Sequence, residues 1–343
     1  MISLPFNPGV TRRSLLSGMM VSALMPGSTL PARSPTPAGI ALIEAPTSLG
    51  LRPLTSGHEP GCWRAPAVLM RAGLGEELRP RRHVVLPHPI YRFTRDPAST
   101  IRNGTRLRAY CEQIGDTVAA TLGDGLFPLV IGGDCSILLG CLAGAKRSGP
   151  CGLIHVDGHA DFYHPGNYDG TAPGSAAGMD LALATGRGEA LLARWGEPAM
   201  PLVDDLQVVQ IGERESDVPD YSFPDYRTSP IHKITIESFL RGGPAEASAQ
   251  ALARSTGRIW LHVDVDVLDQ SIMPAVDSPG RPGMTFDQLS SLIRTLLASD
   301  RLAGADIAIF DPELDPTGAI AKRLAGCIAA GFHAFRTAHI PAG

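Results

Sequence analysis

The sequence predicts an α/β fold, a parallel sheet wrapped by helices, and three observations carry that expectation. Short apolar runs alternate with longer segments of helical period along the chain. Aromatic residues are only 6% of the 343, so the core is built mainly from leucine, isoleucine, valine and alanine, as in sheets buried on both faces. No linker and no internal repeat divides the chain beyond residue 38, so residues 39–343 read as one domain.

Six apolar runs read as buried strands: Ile40 to Ile43, Phe127 to Ile131, Leu153 to Val156, Val208 to Ile211, Ile259 to Val263 and Ile307 to Phe310. Between the first two, Arg106 to Leu122 places Leu107, Cys111, Ile114, Val118 and Leu122 on one helical face. A later helix opens after Thr285, where Gln288 completes a capping box and Leu289, Leu292, Ile293 and Leu296 form the apolar stripe.

Composition narrows the function classes. A hydrophobic share of 44% excludes a disordered chain, and 30 basic against 34 acidic residues argues against a nucleic-acid partner. The 38 glycines and 30 prolines imply many turns. Six cysteines, with no C-x-x-C spacing, do not suggest a disulfide framework. At the start, Thr11-Arg12-Arg13-Ser14-Leu15-Leu16 leads into the apolar block Leu15 to Met25 and a small-residue stretch ending near Ala32. Residues 1–38 therefore resemble a twin-arginine export signal and its junction, and a periplasmic location is expected; a leader that is no signal would leave the chain cytoplasmic. The apolar block is well short of the roughly 20 residues that span a bilayer, so no stable membrane insertion is expected.

The chemistry-bearing residues follow the expected strands, where open parallel sheets place their ligand sites. Asp157-Gly158-His159-Ala160-Asp161 follows the third run, and its alternate residues project to one side in extended backbone. Asp264-Val265-Asp266 follows the fifth, again with two carboxylates at spacing two. Gly132-Gly133-Asp134-Cys135-Ser136 follows the second and offers a thiolate at Cys135. Carboxylates gathered this way repel one another unless a cation joins them. Mixed Asp and His donors suit Mn²⁺, Fe²⁺, Co²⁺ or Zn²⁺, and two acidic loops facing each other suggest two ions that activate a bridging water as hydroxide.

On these three segments the sequence resembles the ureohydrolases, the arginase and agmatinase family of dinuclear manganese hydrolases. Gly132 to Ser136 is similar to the family pattern GGDHS, Asp157 to Asp161 to DAHxD, and His262 to Gln270 to SxDxDxxDP. Ile211 to Arg214 is similar to IGxR, and Pro279 to Thr285 to a proline- and glycine-rich loop; the likeness covers roughly residues 39 to 335. The resemblance implies a three-layer α/β/α fold around a mostly parallel eight-stranded sheet and assembly into trimers or hexamers. It implies two divalent ions, Mn²⁺ first, with Zn²⁺ or Fe²⁺ admitted by Cys135. One would be held by Cys135, Asp157, Asp161 and Asp264, the other by His159, Asp157, Asp264 and Asp266. The implied reaction is hydrolysis of a carbon–nitrogen bond in a small amine-bearing guanidine, amidine or amide, with Asp161 helping to move the proton of the attacking hydroxide.

Departures from the family concern the substrate. Cys135 stands in place of histidine, and Ala177 in place of the proton-shuttling histidine; His164 and His262 are the candidate substitutes. Ile309 replaces the glutamate that engages a guanidinium, with Asp311, Glu313 and Asp315 nearby. Glu215 and Asp217 follow Arg214 where arginases hold the substrate amino group, and Arg52 could meet a carboxylate. Ordinary arginase or agmatinase activity is therefore not expected, and the rival expectation is a catalytically silent relative that binds metal or serves as a scaffold.

Overall fold

The computed structural model describes residues 37–167, 172–215 and 223–337; Asp217 and residues 1–36 of the expected leader lie outside them. Eight strands form one sheet: β1 (Ile40–Ala45), β2 (Arg82–Val85), β3 (Phe127–Gly132), β4 (Cys151–Val156), β5 (Val208–Ile211), β6 (His232–Ile234), β7 (Arg258–Asp264) and β8 (Leu302–Ala308). Their order is β2-β1-β3-β8-β7-β4-β5-β6, and every neighbouring pair is parallel.

Helices link successive strands, as parallel pairing requires. The helix Gly104–Gly123 buries Leu107, Cys111, Ile114 and Val118, and Phe286–Leu297 opens on the capping box between Thr285 and Gln288. Ile137–Lys146, entered directly from the loop after β3, is buried over nearly its whole length. Burying this aliphatic surface is the main force holding helices to sheet.

Two strands and one boundary were not evident from apolar runs. β2 and β6 are the sheet's edges; β2 alternates between half-buried and exposed residues and β6 has three residues, so neither shows a continuous apolar run. β8 begins at Leu302 and ends at Ala308, earlier than the expected Ile307 to Phe310. Gly304 and Asp306 interrupt the apolar run over its earlier part. Tertiary packing makes it a strand: Gly304 pairs with Trp260 on β7, and a Cβ there would sit 2.2 Å from the indole ring.

β3, β8, β7 and β4 are adjacent at the centre of the sheet. The loops leaving their carboxyl ends are the Gly-Gly-Asp-Cys-Ser, Ile-Phe-Asp-Pro, Asp-Val-Asp and Asp-Gly-His-Ala-Asp segments. The first of these is locked to the β1 exit: Gly133 and Asp134 donate their N–H groups to the carbonyls of Ala45 and Thr47 at 3.3 and 3.1 Å. A Cβ on Gly133 would lie 1.7 Å from the Thr47 carbonyl oxygen. Gly133→Ala is therefore expected to destabilise the protein by about 3 kcal/mol, the upper range for overpacking against backbone, read as a lower urea midpoint.

Candidate metal centre

Strands β4 and β7 end in the same local device. The backbone N–H of His159 donates to Asp157 Oδ1 at 2.7 Å, and that of Asp266 donates to Asp264 Oδ1 at 2.7 Å. Each strand-terminal aspartate thus caps the turn it begins, which fixes its carboxylate and aims the residue two positions on toward the same space. Asp157, His159 and Asp266 bring ligand atoms within 4.8 Å of one another, and His159 Nδ1 stands 2.9 Å from Asp266 Oδ2. From the β3 loop, the Cys135 thiol donates to Asp264 Oδ2 at 2.6 Å. Asp161 has φ of 45°, a left-handed conformation uncommon for a residue other than glycine.

These groups are buried and mostly of one sign. Burial, then the charges of Asp266 and Asp157, push the Asp264 carboxyl well up; burial and Asp157 do the same for Asp161. Burial also opposes ionisation of Asp266, but the charge and hydrogen bond of His159 and the charge of Arg214 outweigh it and hold that carboxyl down. His159 is correspondingly pushed up, because Asp266 and Asp157 outweigh its burial. The Cys135 thiol is pushed up by burial and by Asp264, so it must lose a proton to act as a ligand. Asp157 Oδ2 is buried with no hydrogen-bond partner among the described residues. An orphaned carboxylate oxygen amid carboxylates, an imidazole and a thiol is the donor set a divalent transition metal fits.

Cys135, His159, Asp161, Asp264 and Asp266 line a cavity of about 650 Å³. Its other walls include Arg52, Tyr163, Ala177, Glu215, Asp277 and Ile309. Glu215 Oε2 accepts the Ala160 N–H at 3.1 Å, which places it over the Asp-Gly-His-Ala-Asp loop.

Below the ligands on the same face of the sheet lies a fully buried polar network that the apolar reading of the strands missed. His155 pairs in register with His262, and His262 with Asp306. The two imidazoles stack with ring centroids 4.8 Å apart. Asp306 accepts from Trp260 Nε1 at 2.5 Å and lies 2.6 Å from His262 Nδ1; Asp180 Oδ1 lies 3.2 Å from His155 Nε2. His155 Nε2 also faces Asp157 Oδ2 at 3.7 Å. Burial and then the neighbouring His262 lower His155 to about 3, whereas Asp306 and Asp180 overcome burial to raise His262 to about 9. The spacing His155-x-Asp157 and His262-x-Asp264 was the available sequence signal, since residues two apart on a strand share a face.

The candidate proton carriers lie elsewhere. His262 is engaged in this network, and His164 faces Asp225 at 2.9 Å; neither lines the cavity. The acids after β8 are also structurally occupied. Asp311 accepts the N–H groups of Gly61 and Glu313, Glu313 meets Arg64 and His58, and Asp315 accepts the Ala321 N–H. Arg214 is turned to Asp266 and to the Pro282 carbonyl.

An all-parallel α/β sheet with a carboxylate-rich centre on the loops of its central strands defines a metallohydrolase-type site. Residues 38–333 match the model of the arginase family, and the chain belongs to that family. It is a metal-dependent hydrolase of carbon–nitrogen bonds in amidines. It is 31% identical to an arginase from Bacillus caldovelox over 67% of this chain and 77% of that one. To a guanidinopropionase from Pseudomonas aeruginosa it is 32% identical over 57% of each. An arginase structure from Bacillus cereus superposes with a TM-score of 0.73 at 25% identity, covering 85% of this chain and 97% of that one.

Asp306→Ala would leave the His262 and Trp260 nitrogens without their acceptor in the interior. A loss of about 3–5 kcal/mol is expected, measured by urea unfolding at neutral pH.

Proposed function

We propose that this protein hydrolyses a carbon–nitrogen bond in a small guanidino, amidino or amide compound at a dinuclear metal centre, and that it is not an ordinary arginase or agmatinase. The observation that carries the reading is the convergence of Asp157, His159 and Asp266, the last two of which line one cavity with Cys135 and Asp264. Cys135, Asp157, Asp161 and Asp264 would hold one ion, and His159, Asp157, Asp264 and Asp266 the other. Mn²⁺ is the first assignment, and the softer Cys135 sulfur favours Zn²⁺ or Fe²⁺. When bound, such ions supply Lewis acidity and a water acidic enough to attack a trigonal carbon near neutral pH.

The chain's own residues then divide the remaining work. Asp161, lining the cavity, accepts the proton of the attacking water. Glu215 lines the same cavity and receives a substrate amino group, with Asp217 two residues further along the chain. Protonation of the leaving group falls to solvent, since His164 and His262 have other partners and Ala177 has no proton to transfer. Ile309 puts an apolar side chain on the wall, which disfavours a guanidinium held as arginases hold it and suits a modified guanidine such as an N-hydroxyguanidine. The twin-arginine pattern supports export to the periplasm, and family membership supports a homo-trimer or hexamer.

Metal content per chain tests this reading directly. Elemental analysis of protein purified without chelators is expected to give two ions, falling toward one in Cys135→Ala. Near-zero metal in folded protein after reconstitution with Mn²⁺, Fe²⁺ and Zn²⁺ would leave a catalytically silent relative as the better account.

A further inference from the structure

One carboxylate on the cavity wall belongs neither to the expected ligand set nor to the buried network. Asp277 lies on the segment between β7 and the helix Phe286–Leu297 and lines the same cavity as Cys135, His159, Asp161, Asp264 and Asp266. Its position is set by backbone. Asp311 donates its N–H to the Ala275 carbonyl at 2.8 Å, and Ile309 donates to the Gly133 carbonyl at 2.8 Å. The Asp277 segment is thereby tied to the chain leaving β8, which is itself tied to the loop that carries Cys135. Ile309, at φ of 76°, holds a conformation rarely adopted by a β-branched residue. It brings no charge to the wall that it shares with Asp277.

Asp277 is half-buried and poorly served by the protein. Among the described residues its only side-chain hydrogen bond is a long one, 3.5 Å from the Ser278 hydroxyl, and no basic side chain forms an ion pair with it. Burial pushes its carboxyl up, aided by the charges of Asp266 and Asp311, and the Ser278 hydrogen bond and the charge of Arg52, exposed on the cavity wall, only partly offset this. A carboxylate that has lost part of its hydration without gaining a cation is costly unless something arrives to pair with it. A planar amidinium or guanidinium, with paired N–H donors, matches a carboxylate better than a neutral amide does.

We propose that Asp277 anchors the cationic group of the substrate from the segment after β7, on a wall to which Ile309 brings no charge. The inference rests on the metallohydrolase reading and adds to it which carboxylate of the cavity meets the charge of the substrate. Asp277 is a binding residue whose contact is with the charge of the substrate.

The test compares methylguanidinium with methylurea, which are nearly the same shape but differ in charge, on Mn²⁺-loaded protein. Relaxation of the ligand methyl protons by Mn²⁺ reports binding near the metals, and titration yields Kd. The wild type is expected to prefer methylguanidinium by about tenfold or more, the worth of one charge-assisted hydrogen bond. Asp277→Asn should abolish most of that preference at unchanged metal content, and Asp277→Glu should restore part of it. A wild type that binds both probes equally or neither, or an Asp277→Asn protein that keeps the preference, overturns the anchor while the two bound metals keep the hydrolase reading intact. Protein that takes up no metal overturns the hydrolase reading, and the anchor falls with it.

Discussion

Repulsion among Asp157, Asp161, Asp264 and Asp266 is the constraint around which the rest of the structure is arranged, because all four carboxylates are gathered at the ends of β4 and β7. In water such a group would spread apart. Here each strand-terminal aspartate is held by the N–H two residues on, and the sheet register brings the two loops together. His159 and Arg214 compensate part of the charge at Asp266. Asp264 and Asp161, by contrast, remain pushed up by burial and by their acidic neighbours. That residual imbalance marks the centre as a candidate cation site, because divalent ions relieve at once a repulsion that hydrogen bonds relieve only in part.

The support beneath the centre is polar, which is unusual for the middle of a parallel sheet. His155 and His262 stack one residue pair below the ligands, with Asp180 and Asp306 at their edges and the Trp260 indole closing the far end. The two stacked imidazoles are shifted in opposite directions: burial and the neighbouring His262 push His155 down, whereas Asp306 and Asp180 outweigh burial and push His262 up. This layer reaches the ligands through His155 beside Asp157. Its role follows from that contact: it limits how the inner edge of the ligand set can move while the outer edge faces the cavity.

The walls of the cavity differ in charge. Ala177 and Ile309 bring no charge to two walls, while Glu215 and Asp277 present carboxylates from others. Both carboxylates are carried on connecting segments outside the strands. Loops are the part of an α/β fold that changes without disturbing the sheet, so a shift in substrate can arise there at little cost in stability.

Much of this was legible in the sequence. Alternating apolar runs located β1, β3, β4, β5 and β7, the capping box located the start of Phe286–Leu297, and the spacing of the Asp and His residues marked loops that line the cavity. All of these are local signals, written in residues a few positions apart. What the tertiary structure decided is what depends on residues far apart in sequence. Gly304 lies in a strand because Trp260 covers it, and β2 and β6 exist because a neighbouring strand offers an edge. His262 faces Asp306 and His155 instead of the cavity because three strands align in register. Asp277 reaches the site because the Ala275 carbonyl is held by Asp311. A sequence states which side chains a strand or turn presents, but only the packed sheet determines which distant group each one meets.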